Sequence, residues 1–281
     1  MIPADLSECV ARALAEDIGS GDLTAALIPP QQTLRADIIT REAGICCGQP
    51  YAEAVFAQLS PAVRMDWQVN EGHSLVPGQH LCTLSGPAQA MLSGERCALN
   101  FLQTLSGVAT TVSEHCHALQ GTATRLLDTR KTIPGLRLAQ KYAVRIGGGM
   151  NHRLGLYDGI LIKENHIAAC GSITAALSAA RALAPRLTRI EVEVEDLLQL
   201  EEAIAGAADM ILLDNFSMDL LAQAVRRVGG AIPLEASGNI TLENIRAVAA
   251  SGVDFISVGA VTRNIRSLDL SLRYREDEKA P

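Results

Sequence analysis

The sequence predicts an α/β chain in two parts, an α+β N-terminal part followed by a tightly wound α/β barrel. Three observations carry this reading. Beyond about residue 115 short apolar runs alternate with amphipathic segments, the pattern of a parallel sheet covered by helices. The later strand–helix units recur at roughly twenty residues, which suits a barrel. The apolar runs end in charged or small polar residues, namely Asp128, Lys163, Glu193 or Glu195, Asp214, Ser237 and Gly259.

In the N-terminal part, residues 5–17 place Leu6, Val10 and Leu14 on one face of a helix. The run 17–24, DIGSGDLT, stops it with turn chemistry. A strand is expected over 34–41, a helix over 50–59 and an alternating strand over 63–69. Residues 73–85, with Val76-Pro77-Gly78 between short apolar segments, predict a β-hairpin. No lysine sits at its tip, which argues against a module that carries a covalent cofactor. Residues 94–105 predict a helix with Leu99, Leu102 and Leu105 inward. Pattern alone reads Arg96, near its start, as a surface charge.

In the second part the predicted strands are 125–128, 159–162, 190–194, 210–213, 232–235 and 255–258. The helices between them are expected at 136–147, 172–183, 197–205, 218–228 and 242–250, the last with Thr241 as N-cap. Arg137, Lys141 and Arg145 recur every four residues and read as the wet face of the first of these helices. Gly147 to Gly149 reads as its C-terminal stop.

Composition narrows the function. Of 281 residues 48% are hydrophobic, ample for a core, and the formal net charge is -7. An acidic chain with 3% aromatics offers neither a basic face nor stacking platforms for nucleic acid. The N-terminus shows acids and no cationic region before an apolar one, and no apolar run reaches a membrane span, so no membrane partner is expected. Seven scattered cysteines without C-x-x-C predict neither disulfides nor a zinc cage and suit a reducing cytoplasm.

Against the acidic whole, the stretch 128–166 concentrates Arg130, Lys131, Arg137, Lys141, Arg145, Arg153, Lys163, His152 and His166. A cationic pocket in an acidic protein points to a small polyanionic substrate. Arg130, Lys131 and Lys163 directly follow apolar runs, which a wet helix face does not explain. Glu191, Glu193 and Glu195 share one face of their strand, opposite Ile190, Val192 and Val194. If the valines pack on helices, the glutamates line the barrel, where they need cationic partners. An exposed edge strand is the alternative. Walker A and GxGxxG motifs are absent, but Ser237-Gly238-Asn239 and Gly259-Ala260 offer backbone N–H groups where such barrels bind phosphate.

The runs Asp128-Thr-Arg-Lys-Thr132, Asn151-His-Arg-Leu-Gly-Leu156, Leu161-Ile-Lys-Glu-Asn-His166, Glu191-Val-Glu193, Leu213-Asp-Asn215, Ser237-Gly-Asn-Ile240 and Ser257-Val-Gly-Ala260 resemble quinolinate phosphoribosyltransferases. So do 16–24, Gly94-Glu-Arg96 and Leu99-Asn-Phe-Leu-Gln103, so the resemblance spans nearly the whole chain. Thr262-Arg263-Asn264 departs from the family pattern, which has His after the Thr. The resemblance implies an N-terminal α+β open-faced sandwich, then an incomplete α/β barrel of the type II phosphoribosyltransferase kind. The expected domains are 1–112, with the tail 269–281 packing back on it, and 113–268.

It also implies the activity: transfer of the phosphoribosyl group of phosphoribosyl pyrophosphate to quinolinate with decarboxylation, giving nicotinate mononucleotide, pyrophosphate and carbon dioxide in de novo NAD biosynthesis. By resemblance, Arg130, His152, Arg153 and Lys163 hold quinolinate, with Arg96 closing the site from the neighbouring subunit of a homodimer, possible higher oligomers aside. Lys131, Glu193 and Asp214 are the implied catalytic residues and face phosphoribosyl pyrophosphate together with Ser237, Gly238, Asn239, Gly259 and Ala260. Mg2+ is the implied cofactor, held mainly by pyrophosphate near Glu193 and Asp214, with no protein ligand assigned. Three other readings stay open: a phosphoribosyltransferase for another small aromatic acid, a Schiff-base aldolase using Lys163, and a non-catalytic anion binder.

Overall fold

The structure is a computed structural model that describes residues 2–275. In chain order its elements are α1 (Leu6–Ile18), a 3-10 turn (Ala25–Leu27), β1 (Thr33–Thr40), β2 (Gly44–Ile45), α2 (Gln49–Leu59), β3 (Arg64–Trp67), β4 (Ser74–Leu75), β5 (His80–Pro87), α3 (Ala88–Ala118), β6 (Arg125–Leu127), α4 (Arg137–Ile146), β7 (Ile160–Ile162) and α5 (Glu164–Cys170). There follow α6 (Ile173–Leu183), β8 (Ile190–Val194), α7 (Leu197–Ala205), β9 (Met210–Asp214), α8 (Met218–Val228), β10 (Leu234–Ser237), α9 (Ile245–Ala249), β11 (Phe255–Ser257), α10 (Ala260–Arg263) and β12 (Leu270–Tyr274). They form two compact units. The first takes residues up to Ser113, Ile133–Gly148 and the chain from Thr262 on; the second takes Glu114–Thr132 and Gly149–Val261.

The first unit carries a sheet in the order β12-β1-β5-β3, with its helices. All its pairings are antiparallel. α1 buries Cys9, Val10 and Leu14, two of the three residues expected on its inner face. β12 runs along the outer side of β1, with Ala36 opposite Tyr274. Arg275 then grips Asp37 through two hydrogen bonds of 2.6 and 2.8 Å. The expected tail 269–281 thus falls partly on β12, while residues 276–281 lie outside the described residues.

Three expectations are corrected here. Residues 73–85 do not form a hairpin: β4 pairs with β2, and β5 pairs with β1 and β3. The helix expected at 94–105 is only the middle part, about three turns, of a helix of 31 residues, α3. Lys141 is not on a wet face, because α4 buries six consecutive residues from Ala139 to Val144 and is enclosed on nearly all sides. Gly147 sits too close for any side chain, since a Cβ there would lie 2.5 Å from the Ala109 carbonyl.

The second unit is an incomplete α/β barrel: six parallel strands in the order β6-β11-β10-β9-β8-β7. The ends, β6 and β7, are sequence neighbours but stand apart, joined by the long excursion 128–159. Met150 fills part of the opening with a parallel bridge to Leu127. The strand–helix loops are built for sharp starts. Ser172 caps α6, Asp196 caps α7 through the N–H groups of Leu198 and Gln199, and Ser217 caps α8. The expected helix at 242–250 is shorter: a turn hydrogen-bonded to the Thr241 carbonyl precedes α9, so Thr241 is not its N-cap. Among the described residues no helix is long and apolar enough to cross a membrane.

Candidate active site

The strand register aligns the site. Parallel partners point the same way, so Glu193, Leu212 and Glu235 form one row across β8, β9 and β10. Asp214 and Ser237 form the next row, at the C-terminal exits. These residues line a cavity of about 650 Å³ together with Thr129, Arg130, Lys131, His152, Arg153 and Lys163. Every one of them belongs to the second unit.

The cations are placed in two ways. Arg130 and Lys131 lie just past Asp128 and Thr129 in the loop that leaves β6, and the Thr129 hydroxyl accepts the Lys131 N–H at 3.0 Å. Arg130 Nε is buried without a hydrogen-bond partner, a donor left open to an acidic ligand. His152 and Arg153 come from the excursion that spans the barrel opening. Asp128, fully buried at the end of β6, holds that segment by accepting the His152 N–H and the Asn151 amide, both at 2.8 Å. The Arg153 guanidinium donates to the Gly159 carbonyl at 3.1 Å, and burial and then the Arg130 charge push its pKa down.

The acids sit deeper. Glu193 pairs with Lys163; burial pushes its carboxyl up, against the lowering effect of that lysine. Glu191 accepts from His152 Nε2 at 2.8 Å, and Glu235 lies 3.6 Å from the same nitrogen. His152 Nδ1 accepts the Arg153 N–H at 2.7 Å, so the ring carries its proton on Nε2. Glu235 is 1% exposed, and burial followed by the Glu191 charge drives its carboxyl well above the usual range. His152, Glu191 and Glu235 each bring an atom within 4.8 Å of the others. With the Nε2 lone pair taken by a proton, this trio is arranged to hold hydrogen rather than a metal ion.

At the exits of β9 and β10 two loops interlock. The Asn215 N–H donates to the Ser237 carbonyl at 2.9 Å, and the Asn239 amide to the Asn215 side chain at 3.1 Å. Asn215 and Asn239 both adopt positive φ, 56° and 51°, so each chain turns sharply as it leaves its strand and the two loops meet. Gly238 permits this: a Cβ there would lie 2.1 Å from Asn215 Oδ1.

The cavity therefore gathers Arg130, Lys131, His152, Arg153, Lys163, Glu193, Asp214, Ser237, Gly238 and Asn239. Gly259 and Ala260 do not line it. Gly259 instead lets Lys131 pass, since a Cβ there would meet its Cδ at 2.8 Å, and Ala260 opens α10. Arg96 belongs to the first unit, exposed on α3. Glu195 is exposed beyond the end of β8, outside the row of glutamates in which it was expected. Thr129, Asn215, Glu235 and Ser257 line the cavity without having been singled out in the sequence. Glu235 carried a readable signal, as it stands two residues before Ser237 and so faces the same side.

Comparison with known proteins gives a consistent answer. Residues 22–106 match the family model described as quinolinate phosphoribosyl transferase, N-terminal domain, and residues 108–273 match that of its C-terminal domain. A probable nicotinate-nucleotide pyrophosphorylase [carboxylating] of Bacillus subtilis is 46% identical over 257 residues, covering 92% of this chain and 89% of that protein. Quinolinate phosphoribosyltransferase [decarboxylating] 1b of Nicotiana tabacum is 36% identical, covering 96% of this chain and 82% of that protein. The structure of the nicotinate-nucleotide pyrophosphorylase from Francisella tularensis superposes with a TM-score of 0.94 at 45% identity, over 98% of both chains.

Proposed function

The chain belongs to the quinolinate phosphoribosyltransferase family, and from that membership and the contents of its cavity we infer that it is a decarboxylating quinolinate phosphoribosyltransferase. It transfers the phosphoribosyl group of phosphoribosyl pyrophosphate to quinolinate, giving nicotinate mononucleotide, pyrophosphate and carbon dioxide in NAD biosynthesis. The observation that carries the substrate reading is the cation set Arg130, Arg153 and Lys163 around one cavity. Two guanidinium groups match a dicarboxylate better than a monocarboxylate, because each planar fork can meet a carboxylate through two hydrogen bonds.

The residue roles follow from placement. Arg130, Arg153 and Lys163, with His152 holding the segment in place, bind the two carboxylates. Ser237, Gly238 and Asn239 offer hydroxyl and N–H groups to the 5'-phosphate. Glu193 and Asp214 face the ribose, where positive charge develops as the ring nitrogen displaces pyrophosphate, and Lys131 approaches the leaving group. Once the nitrogen is alkylated, the pyridinium draws the electron pair of the breaking carbon–carboxylate bond.

Mg2+ fits this oxygen-rich mouth. Glu193 is already engaged by Lys163, so Asp214 is the carboxylate that would hold the ion. Bound there, magnesium would neutralise charge on the departing pyrophosphate. A homodimer completes the reading, with Arg96 of the partner subunit closing each site over the barrel opening and excluding water. The seven cysteines are all unpaired, in keeping with a cytoplasmic enzyme. A Schiff-base role for Lys163 is disfavoured, because Glu193 engages its ammonium whereas such lysines are activated by desolvation or a cationic neighbour. Incubation with quinolinate, phosphoribosyl pyrophosphate and Mg2+ should release carbon dioxide and mononucleotide in equal amounts. Turnover of nicotinate in preference to quinolinate would reject the assignment.

A further inference from the structure

The acids beneath the cavity pose a problem that substrate binding does not solve. Glu191 Oε1 and both carboxyl oxygens of Glu235 are buried without a hydrogen-bond donor. A buried acceptor with no donor is costly, and two ionised carboxylates side by side more so. The two glutamates border one another within 4.8 Å. A single proton held between them, one carboxyl donating to the other, would relieve two of these three oxygens and remove one of the two charges.

The surroundings support one proton and no more. His152 already donates its Nε2 hydrogen to Glu191, and Lys163 is engaged by Glu193. Arg153 lies near Glu191, and the Ser257 hydroxyl lies beside Glu235. Burial favours the neutral form of Glu235.

A second cavity gives this pair a direction. It has a volume of about 470 Å³ and lies at the opposite end of the strands, lined by Ile160, Met210 and Phe255, the first residues of β7, β9 and β11. Glu191 lines this lower cavity, and Glu235 lines the substrate cavity. His152 and Arg153 border both. The carboxyl pair thus lies between the two spaces, one at each end of the strands.

We propose that Glu191 and Glu235 share one proton, that Glu235 delivers it to the ring carbon from which carbon dioxide leaves, and that solvent in the lower cavity replaces it through Glu191. This rests on the quinolinate reading of the site. The bond between the ring carbon and its carboxylate breaks, and its electron pair stays on the carbon beside the pyridinium nitrogen. The O–H bond of Glu235 breaks as the new C–H bond forms. Both glutamates are then ionised; Glu191 takes a proton from solvent in the lower cavity and passes it to the Glu235 carboxylate, which restores the shared proton. One proton from solvent is consumed per carbon dioxide released, and no oxidant or reductant takes part.

The test is rapid-quench kinetics with quinolinate labelled in the departing carboxylate, following pyrophosphate and carbon dioxide separately. In the wild type the two should appear together. In Glu235→Gln, carbon dioxide should lag pyrophosphate by roughly 100-fold, the scale of a lost general acid, and the undecarboxylated nucleotide should accumulate. Glu191→Gln should give a first turnover with the two products in step, followed by slow later turnovers, because only resupply is cut. If both products slow equally in Glu235→Gln, the residue is structural and the relay is wrong. If both stay in step at the wild-type rate, Glu235 is not the donor. Should Glu235→Gln not fold, the Glu191→Gln burst decides: equal slowing of first and later turnovers overturns the relay. A wild type that releases no pyrophosphate from quinolinate and phosphoribosyl pyrophosphate overturns the substrate reading and the relay with it.

Discussion

Lys163, the residue after β7, pairs its ammonium with Glu193 of β8, next to the registered pair Ile162 and Val192. A substrate carboxylate that uses Lys163 must therefore compete with a carboxylate already in place. Glu193→Gln is expected to remove the competitor while also removing negative charge near the ribose. The KM for quinolinate should hold or fall while kcat drops, because charge develops at the ribose only in the transition state. Steady-state kinetics separates the two. Normal kcat with weakened quinolinate binding would contradict the role given to Glu193.

Arg153→Ala should weaken quinolinate binding about ten-fold or more, the loss of one charge-assisted carboxylate clamp at roughly 1.5–3 kcal/mol. Calorimetry with quinolinate alone measures it. The donor substrate should bind nearly as before, and an equal loss for both ligands would show that Arg153 shapes the cavity rather than one subsite.

Assembly makes a third prediction. Arg96→Ala and Lys131→Ala chains should each be nearly inactive. Mixed into a heterodimer, they should form one site lacking both residues and one intact site, with activity returning to about half of the wild-type value. Two affinity tags allow the heterodimer to be purified and assayed. Persistent inactivity after verified exchange would place Arg96 in its own chain's site.

Glu235 predicts a pH dependence of stability. Burial raises its carboxyl pKa in the folded state above the unfolded value, so the folded chain binds this proton more tightly. Its contribution is complete below the unfolded pKa, about 4.3, and is lost as pH rises through the folded value. Glu191, Glu193 and His152 stay in place in Glu235→Gln, so the difference between the two proteins isolates this group. As pH rises above the unfolded value, the thermal midpoint of the wild type should fall relative to that of Glu235→Gln. Parallel profiles would mean that Glu235 carries no such proton.

The barrel was readable in the sequence because strands buried on both faces are apolar runs, and their ends were marked by residues that cannot be buried cheaply. Met210–Asp214 shows both features. What escaped was pairing without period. β2 and β4 have two residues each, too few for an alternation to appear, so Ser74–Leu75 was joined to its sequence neighbour instead of to Gly44–Ile45. Lys141 misled for another reason: helical spacing identifies a face, but only the fold decides whether anything covers it. Within the site, strand exits drew attention and interiors did not. Glu193, near an exit, was noticed, whereas Glu235, two residues inside, looked like the end of an apolar run.

The antiparallel pairing of β1 with β12 has a consequence for how the chain is made. Asp37 and Arg275, which clasp the two strands together, are 238 positions apart. At about 5–20 residues per second of synthesis, β1 emerges from the ribosome on the order of tens of seconds before its outer neighbour exists. Throughout that interval its outer edge is an unpaired template for other nascent chains. Shortening the gene to remove Leu270–Tyr274 would make that interval permanent, and the product should collect in inclusion bodies even though every residue lining the substrate cavity is still encoded.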